Sequence, residues 1–165
     1  MINVALLGFG RIGQMHAQNI YLNKTLNLLY VYEKIDQLGK KAKNLYNCKI
    51  EKNYKKIFSD EKVDIIFISS PTNTHIRFIE EGIKYNKTIF CEKPLDLNIN
   101  KIVKTFKKVK KNNSKIQMGF NRRFDPSHHS IKKDLEKGKI GRLEKIIITS
   151  RDPAPPSKTY LRSSG

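Results

Sequence analysis

The feature that most constrains this chain is an apolar run that ends abruptly in a glycine-rich turn. Asn3–Leu7 is short, apolar and continuous, and reads as a buried strand. It leads straight into Gly8-Phe9-Gly10-Arg11-Ile12-Gly13, and a helical stretch runs from Arg11 to about Leu22. Each glycine in such a G-x-G-x-x-G turn has its own physical reason. The first permits the tight turn, the second lets the backbone approach a pyrophosphate, and the third lets helix and strand pack closely. The helix start adds free N–H groups and partial positive charge. Glycine turns are common, so context has to decide. A second apolar run, Leu26–Tyr32, is closed by Glu33, twenty residues past Gly13. An acid at the end of the second strand is placed to hold the adenosine ribose through its hydroxyls. It would repel a 2′-phosphate, which favours NAD over NADP, although Lys34 next door weakens that preference.

The rest of the chain repeats the alternation. After Leu26–Tyr32 come a helix over Asp36–Tyr46, a strand over Val63–Ser69, a helix over Thr74–Tyr85 and a strand over Lys87–Cys91. A helix over Asn98–Lys111 and a strand over Ile116–Phe120 follow. Continuously apolar strands alternating with helices predict an α/β fold, a parallel sheet covered on both faces. The pattern changes near residue 121. Ser127–Lys137 reads as a helix, Leu143–Ser150 as a longer and more exposed strand, and the last segment is rich in proline and serine. The expected organisation is a dinucleotide-binding domain over residues 1–120 and the start of an incomplete α/β domain over 121–165.

Composition matters mainly for what it excludes. The net charge is +18, which raises the question of nucleic acid. Lysine is spread along nearly the whole chain and comes with abundant Asn and Ile, a trio that an AT-rich coding sequence favours. The densest run, Lys101–Lys115, carries Ile102, Val103, Phe106 and Val109 at helical spacing, which predicts an amphipathic helix with a solvated basic face. A basic nucleic-acid-binding module is therefore the weakest of the functional readings, since charge alone gives only non-specific affinity. No apolar stretch approaches the roughly 20 residues of a membrane span. The first residues do not read as a secretory leader. Two cysteines, Cys48 and Cys91, are too few for a disulfide framework and fit a cytoplasmic protein with reduced thiols.

Two polar clusters sit where ligands bind in open parallel sheets, outside the carboxyl ends of strands. The first is Ser69-Ser70-Pro71-Thr72-Asn73-Thr74-His75. Thr74 or Asn73 can serve simply as a helix cap, and position alone allows His75 to be a surface histidine. The second is Cys91-Glu92-Lys93-Pro94-Leu95. A lysine there points into the cleft that a nicotinamide would occupy and, partly desolvated beside a cation, can take part in proton transfer. A plain solvated lysine before a proline fits the same position.

GFGRIG, SPTNTH, CEKPL and GFNRRFDP, in this order and at these intervals, resemble the glucose–fructose oxidoreductase/inositol dehydrogenase/MocA family. TSRDPAPP is similar to its inositol 2-dehydrogenase branch, and the resemblance covers essentially the whole chain. It implies an N-terminal Rossmann domain that binds NAD and a C-terminal α/β domain that supplies most of the substrate site and a homo-oligomer interface. Gly8, Phe9, Gly10, Arg11, Ile12 and Gly13 would hold the pyrophosphate, and Glu33 the ribose. Ser70, Thr72, Asn73, His75 and Glu92 would line the nicotinamide side. Lys93 would contact the nicotinamide ribose and the substrate hydroxyl and act catalytically. Pro94 would follow a cis peptide bond, and Arg123 and Asp152 would be substrate contacts. The implied activity is hydride transfer from a secondary alcohol of a cyclic polyol or sugar, with inositol as the expected substrate. The family pairs its lysine with an Asp and a His in a later GGxFxDxxxHD-like segment. This sequence ends SSG where that segment should begin, so the chain as it stands is expected to have little dehydrogenase activity. Two alternatives keep the fold: a dehydrogenase of another sugar, or a non-catalytic dinucleotide-binding protein.

Overall fold

The computed structural model describes residues 1–151, 154 and 155. They divide into two compact units, the first Met1–Gly119 and the second beginning at Phe120. The first unit is built on six strands: β1 (Ile2–Leu7), β2 (Leu26–Tyr32), β3 (Lys49–Glu51), β4 (Ile65–Ile68), β5 (Thr88–Cys91) and β6 (Ile116–Met118). Between them run helices α1 (Arg11–Leu22), α2 (Asp36–Tyr46), α3 (Tyr54–Ser59), α4 (His75–Lys84) and α5 (Ile99–Lys111). All pairings are parallel, and the order across the sheet is β3-β2-β1-β4-β5-β6.

The apolar strands follow from burial on both faces. In β1, Val4 and Leu6 pack with Ala17 and Ile20 of α1 and Ala42 of α2. Ala5 and Leu7 enter the opposite cluster with Ile57 and Phe58 of α3 and Phe78 and Ile79 of α4. Neither face is left for a polar side chain, so the run is continuous rather than alternating. Each fully buried Leu or Ile stabilises the sheet by about 1.5–3 kcal/mol. The strand order reverses between β1 and β4, the point where crossovers leave for opposite faces and a crevice opens at the carboxyl ends. There Ser69 N–H donates to the Leu7 carbonyl at 2.9 Å, which sets the end of β4 beside the glycine turn. The fold is therefore the doubly wound Rossmann architecture that the alternation predicts.

Several elements differ from the sequence reading. β3 and α3 have no counterpart in it. β3 is only three residues, Lys-Ile-Glu, and exists through its register with Tyr30–Tyr32. α3 is a six-residue helix whose Asn53 side chain accepts from Lys55 N–H at 3.1 Å. Neither is long enough to show a period. In α5 the inward residues are Ile102, Thr105 and Val109, whereas Val103 and Phe106 are 47% and 48% exposed. The packed stripe is thus narrower than the apolar pattern suggests.

The second unit contains a 3-10 turn over Asn121–Phe124 and helix α6 (Pro126–Glu136). Asp125 caps α6 by accepting from His128 N–H, and Pro126 occupies the first turn, where a missing N–H costs nothing. The expected strand over Leu143–Ser150 is not formed, and Ile146, Ile147 and Ile148 are 60–77% exposed. Its backbone finds no strand partner among the described residues, and an unpaired strand has no ladder to hold it. The described elements of this unit are one 3-10 turn and one α-helix.

Candidate functional site

The glycine turn answers three separate steric demands. Gly8 has φ +98°, a left-handed conformation that a side chain would strain, and an added Cβ would lie 2.8 Å from Ser70 Cα. At Gly13 an added Cβ would lie 2.1 Å from the Gly8 carbonyl oxygen, which is the close packing of helix on strand. Gly10 is different. Its φ of −67° suits any residue, and an added Cβ meets nothing within 4 Å. Nothing among the described residues asks for glycine there, so the space beside it is what a ligand approaching the backbone would use.

That space adjoins the start of α1, which no side chain caps. The first intrahelical bond runs from Gln14 N–H to the Gly10 carbonyl, so the N–H groups of Arg11, Ile12 and Gly13 precede the ladder. Arg11 is exposed, Ile12 half-buried, and Phe9 fully buried against Tyr46. These open donors and the room at Gly10 fit a pyrophosphate.

Glu33 closes the same crevice. Its Oε2 accepts from Phe9 N–H at 2.9 Å, and its Oε1 accepts from Lys34 N–H at 2.8 Å and Ile35 N–H at 3.0 Å. Three backbone donors fix a half-buried carboxylate against the glycine turn. Beside it lies a depression lined by Glu33, Ile35, Asp36, Gly39 and Ile50, with Lys52 at the rim.

The loop after β4 is held largely from within. Thr72 and His75 are buried, Asn73 is exposed, and Ser70 is half-buried. Thr74 occupies the N-cap position of α4, but its side chain makes no capping hydrogen bond, contrary to the capping alternative for this loop. A 3-10 turn over Thr72–Thr74 runs directly into the helix, so Thr74 already has helical dihedrals. Its hydroxyl donates to the Pro71 carbonyl at 2.7 Å and accepts from the Ser70 hydroxyl at 2.6 Å. His75 is not a surface residue: Nδ1 faces the Pro94 carbonyl and Nε2 the Ser70 carbonyl, each at 2.8 Å. It ties the loop after β4 to the loop after β5.

In that second loop Lys93 and Pro94 are exposed and joined by a cis peptide bond. Glu92 is half-buried beside His16, a residue the sequence reading did not single out. His16 Nε2 lies 2.7 Å from Glu92 Oε1, while Glu92 Oε2 accepts from Lys93 N–H at 3.2 Å. Burial opposes the charge on Glu92, but the hydrogen bond with His16, the His16 charge and Lys93 outweigh it and hold the carboxyl below its usual range. The available signal was spacing. His16 follows Gly13 by three residues, on the side of α1 that carries buried Gly13, Ala17 and Ile20.

The glycine turn, Glu33, the loop after β4 and Glu92–Pro94 all lie at the carboxyl ends of strands in the first unit. Arg123 belongs to the second unit, exposed on its 3-10 turn. Asp152 lies outside the described residues. Among the described residues no three His, Cys, Asp or Glu side chains gather as a metal site, and no helix is long and apolar enough to cross a membrane.

Residues 2–120 match the GFO_IDH_MocA family model, described as an oxidoreductase family with an NAD-binding Rossmann fold. Inositol 2-dehydrogenase of Rhizobium meliloti is 35% identical over 164 residues, which is 99% of this chain and 49% of the relative. A myo-inositol dehydrogenase structure from Corynebacterium glutamicum superposes with a TM-score of 0.90 at 35% identity, covering 98% of this chain and 48% of that one. A scyllo-inositol dehydrogenase from Lactobacillus casei, with bound NAD(H) and scyllo-inositol, gives 0.81 at 30% identity, covering 86% and 42%. The chain thus spans about half the length of the relatives it matches.

Proposed function

This chain belongs to the GFO_IDH_MocA oxidoreductase family, and on that premise we propose that residues 1–120 form the NAD-binding domain of a polyol dehydrogenase. The reaction is hydride transfer from a secondary alcohol of a cyclic polyol, with inositol the favoured substrate, in a cytoplasmic homo-oligomer. The observation that carries the reading is Gly10, where no described residue requires a glycine, beside uncapped N–H groups and a fixed carboxylate.

In this reading Gly8, Phe9, Gly10, Arg11, Ile12 and Gly13 form the pyrophosphate cradle. Glu33 takes the adenosine ribose hydroxyls and, as a fixed negative charge, disfavours a 2′-phosphate. Ser70, Thr72, Asn73 and His75 form the wall on the nicotinamide side, with Thr72 and His75 acting from buried positions as its frame. NAD, when bound, supplies the hydride acceptor. The protein's task is orientation and removal of the alcohol proton. Lys93 Nζ reaches the hydroxyl and takes part in that proton movement, Glu92 and Pro94 shape its loop, and Arg123 and Asp152 contact the polyol.

Calorimetric titration of the chain with NAD and with NADP tests this directly. We expect saturable NAD binding and weaker NADP binding. Gly10→Ala should leave the melting temperature unchanged, because its methyl meets no atom of the described residues within 4 Å, yet weaken NAD binding by about 1–3 kcal/mol through overpacking against the ligand. Glu33→Lys should shift preference toward NADP. A folded sample that binds neither dinucleotide would remove the cofactor assignment.

A further inference from the structure

We infer that His16 is a positioning residue for Lys93, acting through Glu92; this deepens the proposed site and rests on Lys93 facing the nicotinamide. The connection is short and nearly buried. His16 and Glu92 side chains are 12% and 18% exposed, and Nε2 meets Oε1 at 2.7 Å. The imidazole stands edge-on to Phe67 at 5.7 Å and Phe90 at 5.2 Å, two rings stacked on each other at 4.6 Å, so its direction is set by packing. Gly119 closes the other side of the carboxylate, since a Cβ there would lie 3.2 Å from Glu92 Cδ and Oε1. Glu92 Oε2 then accepts from the Lys93 N–H, and Glu92 N–H donates to the Ile68 carbonyl at 2.9 Å. The backbone that carries Lys93 is therefore referenced to α1, the helix that opens on the glycine turn.

Without the imidazole, the Glu92 carboxylate loses its main side-chain partner and the constraint on its direction. It can swing toward solvent, where the ammonium of Lys93 is the nearest cation in sequence. An ion pair there would take Nζ away from the cleft. A shift on the order of 1 Å in such a group is enough to cost about 100-fold in a positioned contact.

The test follows Lys93 itself by competitive amine labelling of the whole chain, read by peptide mass spectrometry with and without NAD, with exposed Lys101 as internal reference. In the native protein NAD should protect Lys93. His16→Phe keeps the aromatic packing and removes the nitrogen. It should melt as a cooperative unit, still bind NAD, and lose protection of Lys93. Its labelling of Lys93 without NAD should also fall by about threefold, the scale of an exposed ion pair. His16→Gln, which returns a polar nitrogen near the Nε2 position, should restore both readings. If His16→Phe does not fold, Glu92→Gln places an amide nitrogen at one of the two oxygen positions that meet His16 and the Lys93 N–H, and should lose protection of Lys93 with no fall in its labelling, since no carboxylate remains to hold the ammonium. Native-like protection and labelling in His16→Phe, or native-like protection in Glu92→Gln where the first variant is unfolded, overturns the inference. Failure of the native chain to bind NAD overturns the cofactor reading instead, and the labelling ratio without NAD then decides the role of His16 alone.

Discussion

At the scale of single residues, the glycine turn separates folding from binding. Gly13→Ala forces a methyl to 2.1 Å from the Gly8 carbonyl, a backbone atom that cannot move aside without shifting helix from strand. We expect a loss of at least about 1–3 kcal/mol, read as a lower midpoint in thermal denaturation. Gly10→Ala should show no such loss, and equal midpoints for the two variants would contradict the steric assignment. The two thiols make a second residue-level case. Burial pushes Cys48 up to about 11 and Cys91 up to about 12, the Glu92 charge adding to the latter. Both stay protonated at neutral pH, and the thiolate is the reactive form. A disulfide reagent should find no reactive thiol in the folded chain and two after denaturation; rapid labelling of the native protein would count against both burials. The tight turn at Gly8 and the close packing at Gly13 were legible in the sequence because the turn and the helix start that impose them are neighbours in the chain. The His16–Glu92 contact was not, because its partners are 76 residues apart and only the sheet brings them together.

Elements show a similar division. β1 and β2 follow from continuous apolar runs, and α1 and α2 from the helical stretches that come after them in the sequence. β3 follows from nothing in its own three residues and forms through the neighbour it pairs with. The Leu143–Ser150 segment is the opposite case: strand-like residues without a partner strand among those described. In α6 the start is written locally, and it titrates. The hydrogen bond with the His128 side chain, then that from the His128 backbone, lowers the Asp125 carboxyl from 3.8 to about 2. The folded value lies below the unfolded one, so the cap contributes in full above about pH 4 and is lost as pH falls through about 2. The His128 amide should report an apparent pKa near 2 by NMR. Asp125→Asn should keep the amide bond and abolish the titration, and Asp125→Ala should fray the first turn at every pH. An amide that titrates at an unperturbed carboxylate value would show that the cap is not formed in solution.

For the whole molecule, the question is which part carries its own stability. The two apolar clusters on either face of the sheet are built from residues of the first unit, from Val4 to Met118. The second unit contributes no buried hydrophobic residue among those described, and Ile131, Ile140 and Leu143 are 60%, 60% and 48% exposed. The hydrophobic effect scales with apolar area removed from water, so nearly all of that driving force resides before Phe120. A chain ending at Gly119 should therefore unfold cooperatively, with a midpoint close to that of the full chain. It should bind NAD with the same affinity, because the glycine turn, Glu33 and Lys93 all precede the cut. Loss of cooperativity, or of NAD binding that the full chain displays, would mean that residues beyond Gly119 support the dinucleotide site through contacts as well as through connectivity. The exposed isoleucines at 146, 147 and 148 also form an apolar run of the kind that promotes association. The shortened chain should accordingly stay monodisperse to higher concentration in light scattering, and equal association of the two chains would place the adhesive surface in the first unit instead.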